Sequence, residues 1–136
     1  MTSRIRAAVV CGAAAAMLGL GVTPASAAGA KSCPSDGWIT RWDRCSTLSN
    51  GVLSVSTNTT GTSVGVAYWR SSGGALTAKL GYERNSTNYW FPYRNMSTVP
   101  LLYQEQASIT ASCGAIIGKL YTSGGATYTT PAADPC

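Results

Sequence analysis

Four cysteines that follow a short apolar leader constrain the fold of this chain more than any other feature. They are Cys33, Cys45, Cys113 and Cys136. An even number of cysteines in a small exported chain predicts disulfides, and four cysteines allow three pairings. Because short loops close more readily, we favour Cys33–Cys45 with Cys113–Cys136, which would tie down both ends of the chain. A zinc site is the alternative use of four cysteines, but the sequence has no C-x-x-C spacing.

The leader itself, residues 1–27, has the organisation of a signal peptide. Its parts are the basic residues Arg4 and Arg6, the apolar run 7–20, and the small residues Ala25-Ser26-Ala27 at the cleavage site. The apolar run, about 14 residues, is too short to span a bilayer. We expect Cys11 to leave with the leader and the mature protein to begin at Ala28. Residues 28–136 would then form one secreted domain, with no membrane partner after cleavage.

The charged residues argue against several functions. After residue 27 the chain has eight basic and five acidic residues, a net charge of +3, and the basic residues are scattered along it. A nucleic-acid-binding surface collects Lys and Arg in a run or on one face, so we expect no nucleic-acid partner. The sequence contains no histidine, which removes Ser-His-Asp and Cys-His catalysis.

A pair of carboxylates is the remaining route to catalysis. The candidates are Asp36, Asp43, Glu83 and Glu105. The simpler interpretation is that Asp36 caps the Ser35-Asp36-Gly37 turn and that Asp43 pairs with a nearby arginine. We therefore expect no enzyme activity and no catalytic residue, and we expect neither a metal nor a cofactor.

Alternation of apolar and polar residues predicts β-strands along most of the chain. The strands are predicted over residues 52–57, 64–70, 76–83, 101–110, 116–121 and 126–130, with a further short strand over 38–42 inside the first disulfide loop. The last two of the main strands are predicted to form a hairpin around Ser123-Gly124-Gly125. Ser71-Ser72-Gly73-Gly74 lies between the second and third of these and predicts a hairpin turn that pairs them. About seven short strands separated by turns predict an all-β fold, a small antiparallel β-sandwich of the immunoglobulin-like kind with two disulfides.

The run Tyr89-Trp90-Phe91-Pro92-Tyr93 places four aromatic rings around a proline. Because a strand alternates its faces, such a run cannot bury every ring on one side. Pro92 favours an edge strand or a loop, since proline has no N–H for a ladder. Exposed rings beside an arginine have the composition of binding hot spots, so the candidate contact residues are Trp90, Phe91, Tyr93 and Arg94. The alternative is a two-sided strand whose outer face is covered by the loop that contains Pro100.

Tyr68-Trp69-Arg70 is the second aromatic feature. If Tyr68 faces the core, then Trp69 points outwards, which makes Trp69 and Arg70 further candidate binding residues. The alternative is that the tryptophan packs against a disulfide or a stacked arginine. The same alternative applies to Trp38 and Trp42, which flank Arg41.

Two families share features with this chain. Tendamistat-like α-amylase inhibitors are small secreted actinobacterial β-proteins that pair four cysteines in neighbouring order and present a Trp-Arg-Tyr triplet at a hairpin. Tyr68-Trp69-Arg70 resembles that triplet in permuted order, which implies inhibition of a hydrolase. In size, leader and β-rich composition, the chain also resembles the linker subunits of actinobacterial umbrella toxin particles. That resemblance implies a strut that joins larger secreted proteins through strand pairing and aromatic contacts.

We expect from these features a non-enzymatic secreted module that binds a secreted protein, as a subunit or adaptor of an extracellular complex such as a toxin particle. A free edge strand would add β-augmentation to the aromatic contacts. An inhibitor of an amylase-type hydrolase is one alternative. A carbohydrate- or cell-wall-binding module that stacks glycan on Trp69 and Trp90 is the other.

Overall fold

The computed structural model describes residues 29–136, so the predicted signal peptide and Cys11 lie outside the described residues. The described residues form nine β-strands. They are β1 (Asp43–Leu48), β2 (Gly51–Thr57), β3 (Ser63–Arg70), β4 (Thr77–Arg84), β5 (Thr87–Trp90), β6 (Arg94–Asn95), β7 (Leu101–Ser108), β8 (Ile116–Thr122) and β9 (Thr127–Ala133). Within this part of the chain, no helix is long and apolar enough to cross a membrane.

The strands form two antiparallel sheets. Sheet A has the strand order β1-β2-β3-β7, and sheet B has the order β5-β4-β8-β9, with the short strand β6 also paired to β4. The two sheets pack face to face over one core. This architecture confirms the predicted all-β sandwich.

Alternation along each strand determines which side chains enter the core. In β3 and β4 the inward positions are apolar except the last, which is an arginine in each strand, and the outward positions of β4 are polar or glycine. Full burial of a single Val, Leu or Ile contributes roughly 1.5–3 kcal/mol, so this one layer supplies most of the favourable free energy of folding. The buried apolar side chains are Leu53, Val55, Val64, Val66, Tyr68, Ala78, Leu80, Tyr82, Met96, Tyr103, Ile116, Leu120 and Ala133.

The predicted hairpin between residues 64–70 and 76–83 is wrong. β3 pairs with β2 and β7 in sheet A, whereas β4 pairs with β5, β6 and β8 in sheet B. The glycine-containing segment 71–76 therefore crosses from one sheet to the other. Both strands carry an apolar face, and those faces bury more area when they oppose each other across the core than when they lie side by side.

Other local predictions hold with small shifts. β8 and β9 form the predicted hairpin, and β7 occupies most of the predicted strand 101–110. The strand β1 was not predicted, and the segment around Trp38 contributes a single bridge to Arg44 and no strand. Asp36 caps its turn as expected, because its carboxylate accepts the Trp38 N–H at 2.9 Å. The predicted pairing of Asp43 with an arginine is wrong, because its carboxylate accepts from Thr40 Oγ1 and Ser56 Oγ and forms no ion pair within residues 29–136.

Both predicted disulfides are confirmed. Cys33–Cys45 ties the N-terminal segment to β1, and Cys113–Cys136 ties the chain end beyond β9 to the segment that follows β7. The bridges span 12 and 23 residues of sequence, and each contributes about 2–4 kcal/mol by constraining the unfolded chain. Two disulfides in so small a chain are typical of extracellular proteins.

Two buried arginines close opposite ends of the sandwich. At one end Arg70 donates from Nη1 to the Met96 carbonyl and from Nη2 to the Gly74 carbonyl, both at 2.5 Å. At the other end Arg84 donates to the carbonyls of Gly61 and Thr110, at 3.3 and 2.7 Å. Each side chain starts from one sheet and satisfies backbone oxygens beyond it, so the arginines join the sheets where the strands end.

The two long sides of the sandwich differ. On one side β1 and β9 meet, and Ser46 Oγ donates to the Thr129 carbonyl at 2.8 Å. On the other side an ion pair of 2.9 Å links Arg94 of β6 to Glu105 of β7. Glu105 lies opposite Val66 and therefore points to the inner side of its sheet. An inward-pointing charge on an edge strand is one way in which proteins discourage edge-to-edge aggregation.

The buried tyrosines predict a loss of stability in alkali. Burial raises the pKa of Tyr82 above its ordinary value of 10.0, and the nearby Tyr89 adds to that rise. Tyr82 therefore keeps its proton to a higher pH in the folded state than in the unfolded state. Its contribution to stability is fully present below the unfolded-state pKa and is lost as the pH rises through the folded-state pKa. We expect the free energy of unfolding, measured in urea, to fall between about pH 9 and 11, roughly one unit on each side of the ordinary tyrosine pKa. It should fall less in Tyr82→Phe, which has no phenol at this position to deprotonate. Equal pH dependence in both proteins would contradict this account.

Candidate functional site

The aromatic run of residues 89–93 divides between the two faces of sheet B, as its alternation predicted. Tyr89 stacks on Tyr82 with ring centroids 4.8 Å apart, and Phe91 lies 6.2 Å from the same ring. Trp90, between them, points to the outer face. β5 is an edge strand that ends at Trp90, so Pro92 lies in the break before β6, in agreement with its missing N–H.

The outer face of sheet B gathers three rings around one lysine. Lys79 Nζ lies 4.9 Å from the centroid of the Trp90 ring, 4.9 Å from that of Tyr93 and 5.3 Å from that of Tyr121. Cross-strand pairing causes this arrangement, because Lys79 lies opposite Tyr121 and Gly81 lies opposite Trp90. We call Lys79, Trp90, Tyr93 and Tyr121 together the aromatic face.

Glycine at position 81 allows the indole to lie on the sheet. A Cβ at this position would collide with the Trp90 ring and would approach the Tyr89 carbonyl oxygen to 2.5 Å. The indole therefore occupies the space that a side chain at position 81 would take. Its ring still presents area to solvent, since Trp90 is 37% exposed and Tyr93 is 49% exposed.

The aromatic face carries a positive charge without a carboxylate partner. Among residues 29–136 Lys79 forms no ion pair, and residues 1–28 contain no Asp or Glu. Next to the rings, Lys119 Nζ donates to Glu83 Oε2 at 2.7 Å and to Asn88 Oδ1 at 2.6 Å. That pair is neutral overall, so the charge of Lys79 dominates the face.

The other candidate residues from the sequence lie elsewhere. Phe91 packs against the edge of the core, and Arg94 turns towards sheet A to meet Glu105. Arg70 is only 3% exposed and its guanidinium bonds backbone carbonyls, so it is not available on the surface as we expected. Arg70 is buried because it ends β3 at one end of the sandwich, where its guanidinium bonds the Met96 and Gly74 carbonyls.

Trp69 lies on the outer face of sheet A and so does not share a surface with Trp90. Trp69 of β3 lies opposite Leu102 of β7, and Lys31 Nζ lies 4.6 Å from the centroid of the Trp69 ring. The N-terminal segment thus rests on this sheet, with Gly29 against the Leu102 side chain. The tryptophans of the first disulfide loop behave as the alternative interpretation proposed, with Arg44 stacked 3.7 Å from the Trp38 ring centroid.

Sequence reasoning missed two members of the aromatic face, Lys79 and Tyr121. Each belongs to an outward position of an alternating strand, which ordinarily indicates solvent exposure. Only the register of β4 against β8 shows that they meet Trp90. The part of the chain that the structure describes contains no group of three or more His, Cys, Asp or Glu side chains placed to hold a metal ion.

Gly81→Ala is expected to disrupt the aromatic face, because the added methyl group meets the Trp90 ring and the Tyr89 carbonyl. Overpacking of this kind costs about 1–3 kcal/mol. The loss should appear in urea unfolding, together with a changed tryptophan signal in near-ultraviolet circular dichroism. Gly124→Ala is the matched control, since its Cβ would meet nothing closer than Thr122 Oγ1 at 3.8 Å. Equal stability of the two variants would contradict the proposed contact.

Comparison with known proteins does not assign this chain to a family. The two resemblances described from its sequence therefore stay predictions, and its function has to be inferred from the surface itself. No protein-family model, no curated protein and no solved structure matches the chain.

Proposed function

We propose that this chain is a secreted, non-enzymatic protein-binding module, a subunit or adaptor of an extracellular complex, and that it contacts its partner through the aromatic face. The observation that carries the proposal is the set of three rings around the unpaired Lys79. Binding hot spots are enriched in tryptophan and tyrosine, and binding sites are most precise on rigid scaffolds. A toxin particle of the umbrella type is the complex that the resemblance implies.

The geometry of the rings favours a protein, rather than a glycan, as the binding partner. A flat polysaccharide chain stacks best on rings that lie in one plane, whereas the Trp90 and Tyr121 rings are inclined by 57°. Rings inclined in this way offer no single flat platform, and they can contact a protruding side chain of a partner from two directions. Trp69, the second stacking platform of the glycan hypothesis, lies on the other sheet and cannot extend this surface.

The inhibitor hypothesis receives less support. It needs an exposed arginine between aromatic residues at a hairpin tip. Here Arg70 is buried at the end of β3, and the segment after it crosses between sheets. An arginine in that position contributes to stability and has no contact with a bound enzyme.

Capture from culture medium tests the proposal. The tagged protein is incubated with the supernatant of its source organism, co-eluting proteins are identified by mass spectrometry, and the affinity of the recovered partner is then measured. We expect Trp90→Ala combined with Tyr93→Ala to weaken binding at least tenfold, about 1.4 kcal/mol. Lys79→Gln should weaken binding as well, because it removes the charge while the rings stay in place.

Tyr128→Ala is the matched control for this experiment. Tyr128 is 41% exposed, similar to Trp90 and Tyr93, but it belongs to β9 and lies outside the aromatic face. Circular dichroism and an assay for free thiols establish that each variant is folded with both disulfides formed. Unchanged affinity in the folded double variant, or an equal loss in Tyr128→Ala, would remove the aromatic face as the contact surface.

A further inference from the structure

A second possible binding site lies on the opposite, inner side of sheet B. A cleft of about 440 Å³ opens between the β4–β5 hairpin and the segment that follows β7. It lies on the side of the sandwich where the two sheets are joined by the Arg94–Glu105 ion pair. The residues whose chemistry matters for the argument are Arg84, Asn85, Tyr89, Ser108, Thr110 and Ser112.

Arg84 brings an uncompensated charge to this cleft. It is 8% exposed, its two Nη atoms donate to backbone carbonyls, and its Nε has no hydrogen-bond partner. Within residues 29–136 it forms no ion pair, and residues 1–28 contain no Asp or Glu. Buried charges in proteins are ordinarily paired, because removing an ion from water is costly. An unpaired guanidinium beside a cleft therefore favours an anionic ligand there.

The walls of the cleft favour a sugar as the carrier of that anion. Tyr89 offers a ring that is 46% exposed and is held in place by its stacking on Tyr82. The facing segment lines the cleft with the hydroxyl-bearing residues Ser108, Thr110 and Ser112, and Ser112 Oγ also accepts the Gly114 N–H at 3.0 Å. An aromatic wall opposite several hydroxyl groups matches the apolar face and hydroxyl edge of a pyranose ring, whereas an apolar peptide side chain would leave those hydroxyl groups unpaired.

The turn between β4 and β5 is built to hold the rim of the cleft. Asn85 and Ser86 both have positive φ, 52° and 63°, as a tight two-residue hairpin requires. Asn85 Oδ1 is packed close to Gly114, where a Cβ would approach it to 2.5 Å. The amide of Asn85 therefore lies against Gly114 at the entrance of the cleft.

Arg70 shows that a buried arginine alone does not define such a site. Like Arg84, Arg70 has no hydrogen-bond partner at Nε, but both of its carbonyl contacts are short, 2.5 Å. The cavity beside it measures about 210 Å³, half the volume of the cleft at Arg84. The longer contact of Arg84, 3.3 Å to the Gly61 carbonyl, leaves that guanidinium less fully satisfied.

We propose that this cleft binds an acidic sugar of the hexuronic type. The carboxylate lies towards the Arg84 guanidinium, the pyranose ring stacks on Tyr89, and the sugar hydroxyl groups bond Asn85 and the serine and threonine hydroxyls opposite. The site is independent of the aromatic face, which is on the other side of the same sheet. The two proposals can therefore fail separately.

Titration of the ¹⁵N-labelled protein with sodium D-glucuronate, followed by NMR at constant ionic strength, tests this site. We expect saturable shifts confined to residues 82–89 and 108–112, and at least tenfold weaker shifts with D-glucose, which lacks the carboxylate. Tyr89→Ala should weaken glucuronate binding at least tenfold, whereas Trp90→Ala, the adjacent residue on the opposite face, should leave it unchanged. Arg84→Lys should also weaken it, because a lysine lacks the planar fork that holds a carboxylate.

Three results would overturn the proposal. One is the absence of saturable shifts with glucuronate, or shifts that centre on the aromatic face. Another is an equal response to glucose, which would show that the charge of Arg84 has no role. The third is a response to an N-acetyl-aspartate amide without a response to glucuronate, which would identify an acidic side chain of a protein as the ligand. Tyr89→Ala keeps the test decisive if Arg84→Lys does not fold.

Discussion

The burial of one apolar layer between the two sheets is the constraint on which the rest of this structure depends, and two buried arginines close the ends of that layer. Arg70 and Arg84 donate hydrogen bonds to backbone carbonyls at opposite ends of the sandwich. At these ends the strands stop, so their carbonyl oxygens have no partner in a neighbouring strand. A carbonyl left without a donor in these positions would cost about 1–3 kcal/mol. The arrangement lets two small sheets close over a single apolar layer, and it holds the β4–β5 hairpin that carries both the aromatic face and the cleft.

The chain has few acidic residues, so most of its basic residues are stabilised by something other than an ion pair. Of the eight basic residues in the described part of the chain, two form ion pairs, three are buried and donate to backbone carbonyls, and four lie over aromatic rings, with Arg44 in both of the last two groups. A cation over a ring gains about 0.5–2 kcal/mol yet keeps its full charge. Lys79 and Arg84 are consequently stabilised within the fold and remain able to attract an anion, at one surface on each side of sheet B.

Sequence reasoning recovered the strands, the disulfides and half of the aromatic face, for reasons that are local. Period-two alternation located the core positions of β3 and β4, and the proline within the run of rings indicated an edge. Sequence reasoning failed where the structure depends on which strands pair across long stretches of sequence. The sequence predicts one hairpin from β3 and β4, which belong to different sheets, and it groups Phe91 and Arg94 with Trp90 although their side chains lie on the inner side of sheet B.

The sequence by itself indicated the all-β class, the pairing of neighbouring cysteines and the splitting of the ring run 89–93 between two faces, because alternation, loop length and the missing N–H of Pro92 act over a few residues. The tertiary structure alone decided that Lys79 and Tyr121 join Trp90, that Arg70 is buried and that Arg84 borders a cleft. Each of these depends on strand register and on the way in which two sheets face each other, and those are set by the burial of the whole apolar layer.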